Sequence, residues 1–469
     1  MTRVLFVAAE AHPFVRVGGM ADFVGSLPRA LQALGDEVSI LIPHYPQQVV
    51  GLVDAREVAC DLSVLRRPAR ILGLAGHPRC LFLDCPELFD WPAIYDSERL
   101  PPARWAALSR AALELARQVL GPQVIHCHDY HSALVPTYKR TVYADDRALA
   151  SARTVFTIHN LTYQGLFSPA IVRAVDFDES LLAIEALEFY GDVNLMRGGI
   201  VFSDAVTTVS ESYARQIQTP EFGGGLDGVL RQRSEDLHGI LNGIDYELWN
   251  PETDPHIAST YSAANLTGKR KCKAALLRGM GLDEDLLDGP LCGVVSRLTH
   301  QKGIDALGAA IPKIIEGGAG VAVLGTGDPA HVDVLRGAQG RWPRRVALVD
   351  RYEEPLAHKV YAGADLFLIP SRFEPCGASQ LVCQRYGAVP IATATGGLAD
   401  TVDEESGFRM ASATAECLAE AVDRAISAFQ VKERWEERVR NCMRKDFSWV
   451  ACARRYSALY HDLCSRKGA

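Results

Sequence analysis

The sequence predicts an α/β protein of two units, each a parallel sheet with helices on both faces. At 469 residues the chain exceeds what one ordinary core sustains, and two domains of roughly 200 residues each are the natural division. Its first half alternates short apolar strands with amphipathic helical stretches. The second half repeats that rhythm, and no short tandem repeat or low-complexity tract interrupts it.

Taken in order, strands are expected at Val4–Ala9, Val38–Ile42, Leu81–Asp84, Val124–His128, Thr154–Ile158 and Ala205–Val209, with a long helix at Ala103–Leu120. A turn-rich passage without clean periodicity, Asn242–Pro255, reads as the hinge. Strands resume at Leu291–Val295, Val321–Leu324, Val346–Val349, Leu366–Ile369 and Val389–Ala392, and a helix is expected over Ser379–Tyr386. Aromatic and aliphatic residues at helical spacing make Ser448–Leu463 a closing helix packed on an apolar surface.

Composition narrows the function. A formal net charge of -8 argues against nucleic acid as a non-specific partner. The apolar run at the N-terminus is short and followed at once by charge and proline, so it reads as a first strand and not as a signal peptide; no later run is long enough to span a membrane. Twelve cysteines without a CxxC pair or regular spacing read as reduced thiols of a cytoplasmic protein.

Open parallel sheets bind ligands beyond the carboxyl ends of their strands, so the loops there carry the candidates. The stretch Pro370–Asp400 is the central one: a strand runs into a loop with Arg372, Glu374, Cys376 and Gly377, and a helix follows. The free N–H groups of a helix start favour an anion, while Glu374 beside them requires hydroxyls on the same ligand. A phosphorylated sugar satisfies both features; a polar turn capping a buried helix is the plain alternative. After the first strand, Arg16, Gly18 and Gly19 offer a cation and glycines that permit close backbone approach. The loop after Leu291–Val295 offers Arg297 and Lys302. Neither GxGxxG nor GxxxxGK[ST] occurs at these glycine-rich loops, which disfavours dinucleotide and P-loop readings. His126, His128, Asp129, His159 and Asn160 cluster at strand ends without the spacing of a zinc site. They suit hydrogen bonding to sugar hydroxyls, or else are core histidines satisfied by their surroundings.

With these residues assembled, the chain resembles the bacterial glycogen synthases and plant starch synthases from Thr2 to about Leu463. The carrying motifs are RVGGMADFVGSLPRAL from Arg16, HCHDYHSAL from His126, TIHNLTYQGLF from Thr157, ILNGID from Ile240, SRLTHQKG from Ser296, RFEPCGASQL from Arg372 and TGGLADTV from Thr395. The resemblance implies the GT-B fold: a Rossmann-like acceptor-side domain at 1–243, onto which the helix at about 448–469 packs back, and a Rossmann-like nucleotide-sugar domain at 244–447. It implies retaining transfer of glucose from ADP-glucose to the non-reducing 4-hydroxyl of an α-1,4-glucan, with neither metal nor other cofactor.

By position, Arg297 and Lys302 would hold the diphosphate and neutralise the leaving group. Glu374 would bond the glucose hydroxyls, helped by backbone N–H groups from Cys376, Gly377, Ala378 and Ser379. His159 would meet the glucose near its reacting end. Asp129 and Asn242 would help to orient donor and acceptor, Asn160 would join the substrate-binding residues, and Gly18 and Gly19 would let the Arg16 loop close over the phosphates. The chain departs from the family pattern at Arg16, which stands for a lysine, and at Thr393 and Ala394, which stand for two arginines. Ala378 and Ser379 replace Leu-Thr, and Arg197 replaces a frequent lysine. The departures at Arg16 and at Thr393 and Ala394 motivate a second reading, a regulatory or weakly active paralogue; a third is a related GT-B enzyme, such as one preferring UDP-glucose or a glucan phosphorylase.

Overall fold

The structure is a computed structural model and describes residues 1–49, 52, 54–58, 62–74, 79–95 and 103–466. The chain divides into two compact units, Met1–Asn242 with Trp449–Ala469, and Gly243–Ser448.

The first unit is built on a nine-stranded sheet in the order Leu237–Gly239, Ala205–Thr208, Arg153–Ile158, Val124–His128, Arg3–Val7, Glu37–Pro43, Arg79–Asp84, Arg70–Leu74 and Arg56–Val58. The first seven pair in parallel. The last two are antiparallel, so the expectation of a wholly parallel sheet is corrected at this edge. The central strands are buried on both faces, which is why they read as unbroken apolar runs. The edge strands carry arginines and glutamate and lack that signal. The expected helix at Ala103–Leu120 is α-helical over Ala103–Leu115 and closes in a π-helical turn, Ala116–Leu120, that ends at left-handed Gly121.

Helix Trp449–Ser465 belongs to this unit and packs against helix Gly19–Ala33. Its seat is more polar than its spacing suggested. Tyr460 Oη lies 2.7 Å from His126 Nδ1, and Thr157 Oγ1 lies 2.5 Å from Nε2 of the same ring. Thr157 in turn meets Thr207, to which Tyr456 donates. His126 is therefore a buried core histidine with both ring nitrogens occupied.

The second unit has a six-stranded parallel sheet in the order Val346–Val349, Gly320–Leu324, Leu291–Val295, Leu366–Ile369, Val389–Thr393 and Phe408–Met410. The segment read as a hinge joins this unit from Gly243 onward. Within it, buried Asp254 accepts from Tyr386 Oη at 2.5 Å and meets His358 Nδ1 at 2.7 Å, and Trp249 stacks on the His358 ring. These contacts turn a loop without periodicity into part of the unit's core.

Both sheets reverse their order of assembly at a defined point. In the first unit the chain adds strands on one side of Arg3–Val7, then returns to place Val124–His128 on the other. In the second it does so between Leu291–Val295 and Leu366–Ile369. Loops leaving such a pair of neighbours diverge to opposite faces and open a crevice, the usual ligand position in this architecture.

Candidate active site

In the second unit, the loops at the reversal are those of Arg297 and Glu374. The first runs from Ser296 through a short 3-10 turn, His300–Lys302, to Gly303. Gly303 has φ +68°, and a Cβ there would lie 1.9 Å from the Pro370 carbonyl oxygen. Only glycine lets the two loops touch at this point. Lys302 Nζ then pairs with Glu374 Oε2, and Ser371 Oγ donates to the same oxygen at 3.2 Å. The lysine and glutamate side chains are 18% and 9% exposed, a sheltered setting in which a charge-assisted bond is stronger than at the surface. Arg297 is exposed, with Nη2 3.3 Å from Gln301 Oε1.

A cavity of about 240 Å³ lies here, lined by Arg297, Lys302, Glu374, Gly377, Ala378 and Ser379 over apolar strand ends. Cys376 is buried and lies outside that lining. Its carbonyl accepts from Gln380 Nε2 at 2.8 Å, while left-handed Gly377 turns the chain into helix Ser379–Arg385. Ser379 Oγ donates to Val295 O at 3.1 Å and ties the helix start to the neighbouring strand.

Two supports of Glu374 lie in stretches that the sequence reading named without giving them this role. Gly397 N donates to Glu374 O at 3.1 Å, and a Cβ on Gly396 or Gly397 would fall 1.9 Å from Glu374 O or 2.1 Å from Cys376 O. The TGGLAD motif thus cradles the backbone that carries the carboxylate. Its paired glycines were the signal, but their partner lies on another loop. The second support is Arg372, which grips the Lys302 loop through Asp305.

In the first unit, the Arg16 and Asp129 loops leave the two strands at the reversal, while His159 and Asn160 follow the next strand, Arg153–Ile158, and Asn242 follows the edge strand Leu237–Gly239. The Arg16 guanidinium bonds Asp22 at 2.9 Å, a half-exposed pair. The N–H groups of Val17 and Gly18 both donate to Glu10 Oε2, at 2.5 and 3.2 Å. Glu10 is 2% exposed, and burial pushes its pKa up to about 7 against the pull of those two bonds. Sequence reasoning missed it, since a lone carboxylate after a strand looks like an ordinary turn. Gly18 has an extended backbone and Gly19 has open space around its Cα, so the fold itself demands glycine at neither.

Asp129 follows strand Val124–His128 with φ +52°, and its carboxylate accepts from His159 N at 2.7 Å and from the Asn160 backbone. Burial raises it to about 7, with Glu10 adding to the shift. The His159 ring packs edge-on to Phe23, with Nε2 3.2 Å from His128 Nδ1, and its pKa is pushed down to about 3 by desolvation. It is a neutral imidazole at physiological pH. Asn160 Oδ1 is taken by Thr162 N at 3.0 Å. The Asn242 carboxamide oxygen is buried without a partner among the described residues. Among those residues no three of His, Cys, Asp or Glu converge as a metal-ligand set, and no helix is long and apolar enough to cross a membrane.

Residues 3–232 match the starch synthase catalytic domain family, and residues 289–428 match glycosyl transferases group 1. The chain is 43% identical to a glycogen synthase of Anaeromyxobacter dehalogenans over 98% of this chain and 99% of that protein. It is 42% identical to a glycogen synthase of Marinobacter nauticus over 99% and 98%. The catalytic domain of starch synthase IV from Arabidopsis thaliana superposes with a TM-score of 0.89 at 34% identity, covering 99% of this chain and all of that one. The chain therefore belongs to the glycogen and starch synthase family of glucan-elongating glycosyltransferases, with the GT-B fold.

Proposed function

We propose that the protein is a cytoplasmic glycogen synthase that transfers glucose from ADP-glucose, with retention, to the non-reducing end of an α-1,4-glucan. The observation that carries this reading is the Lys302–Glu374 pair, set beside Arg297 at the strand reversal of the second unit. Both bonds to Glu374 fall on Oε2, which leaves Oε1 to accept from a sugar hydroxyl. Lys302 spends one of its three N–H donors on Glu374, and the others can meet diphosphate oxygens. Arg297, exposed on the same loop, adds a second cation, so the charge that develops on the leaving diphosphate is neutralised by side chains.

Glu374 then stabilises positive character at the sugar carbon. The departing phosphate, on the same face as the attacking hydroxyl, takes its proton. Asp129, His159, Asn160 and Asn242 serve the sugars from the first unit, where neutral His159 offers a ring nitrogen without a charge. Gly19, which the fold does not require, leaves its backbone open to phosphate, while the Gly18 N–H is held by Glu10. The adenine nucleotide is supported by the catalytic domain of Arabidopsis starch synthase IV, which was solved bound to ADP and acarbose. Among the described residues no two cysteines are joined by a disulfide, as a reducing compartment permits.

The test is nucleoside diphosphate release and glucan elongation, followed together with ADP-glucose or UDP-glucose and no added metal. Turnover favouring ADP-glucose is expected. A UDP-glucose preference overturns the donor, and binding without transfer favours the regulatory paralogue.

A further inference from the structure

Lys302 and Glu374 lie on loops from neighbouring strands, yet their pairing depends on how one loop is registered against the other. That register is set largely by Arg372. Its Nη1 donates to the His300 carbonyl at 2.6 Å and to Asp305 Oδ1 at 2.8 Å, and its Nη2 donates to Asp305 Oδ2 at 2.6 Å. The planar guanidinium therefore grips the chain on both sides of Lys302, at a carbonyl before it and a carboxylate after it. The backbone N–H of Arg372 donates to Gln301 O at 2.9 Å, and Gln301 Nε2 returns a bond to Phe373 O at 3.2 Å. Two residues further along, Glu374 meets Lys302.

The side chains of Arg372 and Asp305 are 30% and 42% exposed. An ion pair so open to water adds little to global stability. Its bidentate geometry nonetheless fixes orientation, for which a point charge is no substitute.

We propose that Arg372 is a positioning residue, which through Asp305 holds Lys302 and Glu374 in register for the transfer step. The proposal rests on the reading that Lys302 and Glu374 carry the chemistry, so Lys302→Ala and Glu374→Gln are measured beside it. The full-length protein is assayed for kcat, for KM with ADP-glucose and with glycogen, and for Tm, as Arg372→Ala, Arg372→Lys, Asp305→Ala and the Arg372→Ala/Asp305→Ala double variant.

Arg372→Ala should lower kcat by about 10- to 100-fold, the scale of a small misplacement of reacting groups. Its KM for glycogen should stay within about twofold and its Tm within about 4 °C, as a surface pair implies. Arg372→Lys should recover part of the loss, since it keeps the charge and loses the fork. Asp305→Ala should resemble Arg372→Ala, and the double variant should be no worse than either alone, as expected of two groups acting as one unit.

Unchanged kcat in Arg372→Ala, losses that multiply in the double variant, or a kcat that falls only in step with Tm would each overturn the proposal while leaving the site reading intact. Full activity in Lys302→Ala and Glu374→Gln would overturn the site reading, and the proposal with it.

Discussion

Replacing Glu10 by glutamine should make the protein more stable above neutral pH and leave it unchanged in acid. Glu10 titrates near its ordinary 4.5 in the unfolded chain and at about 7 in the folded one, because burial disfavours the charged form. Between those values the folded state holds a proton that the unfolded state has lost, so stability falls as pH rises through this window. Above about pH 7 both states are ionised and the penalty is constant. The gap from 4.5 to about 7 corresponds to about 3 kcal/mol. Glutamine removes that penalty without removing the contacts, since Val17 and Gly18 both donate to a single oxygen, which the amide carbonyl can replace. For a unit of this size about 3 kcal/mol amounts to roughly 6–12 °C. The assay is Tm of wild type and Glu10→Gln from pH 5 to 8.5. The curves should converge at the acid end and separate up to neutrality, with glutamine above. Parallel curves, or a glutamine variant less stable at pH 8, would refute the reasoning.

Three further outcomes follow from the same geometry. Gly397→Ala places a Cβ 2.1 Å from the Cys376 carbonyl oxygen, so the Glu374 loop must shift. Turnover should fall at least tenfold, with a stability loss of about 1–3 kcal/mol in denaturant. Lys302→Ala should lower kcat/KM for the donor by about 10²–10³, the scale of one lost charge-stabilising donor, and steady-state kinetics with varied donor reads it directly. Tyr460→Phe removes the hydroxyl that meets buried His126 Nδ1 and should cost about 1–3 kcal/mol while kcat stays near wild type; a large loss of activity would mean that the closing helix does more than seal the unit.

The central strands were legible because each is buried on both faces, so local composition alone marks Val124–His128, Leu291–Val295 or Leu366–Ile369. The candidate loops stood out for a related reason: they interrupt those runs with Arg297, Lys302, Glu374 and Asp129, residues that a strand end tolerates only where polar partners or a ligand receive them. Edge strands Arg70–Leu74 and Arg56–Val58 were missed because one-sided exposure and charge erase the apolar signal.

What lay beyond the sequence was everything set by contacts between distant segments. His126 looked equally fit for a sugar or the core until Tyr460, from the last helix, occupied it. Glu10 gained its raised pKa from burial within the unit and not from its neighbours in the chain. Gly396 and Gly397 looked like a turn of their own until Glu374 and Cys376 were found resting on them. The sequence by itself determined the buried central strands and which side chains reach their ends; strand order, and with it the point of reversal, came from the fold. Only the tertiary structure decided which of those side chains meet, because hydrogen bonding and desolvation depend on ångström-scale approach between groups far apart in the chain.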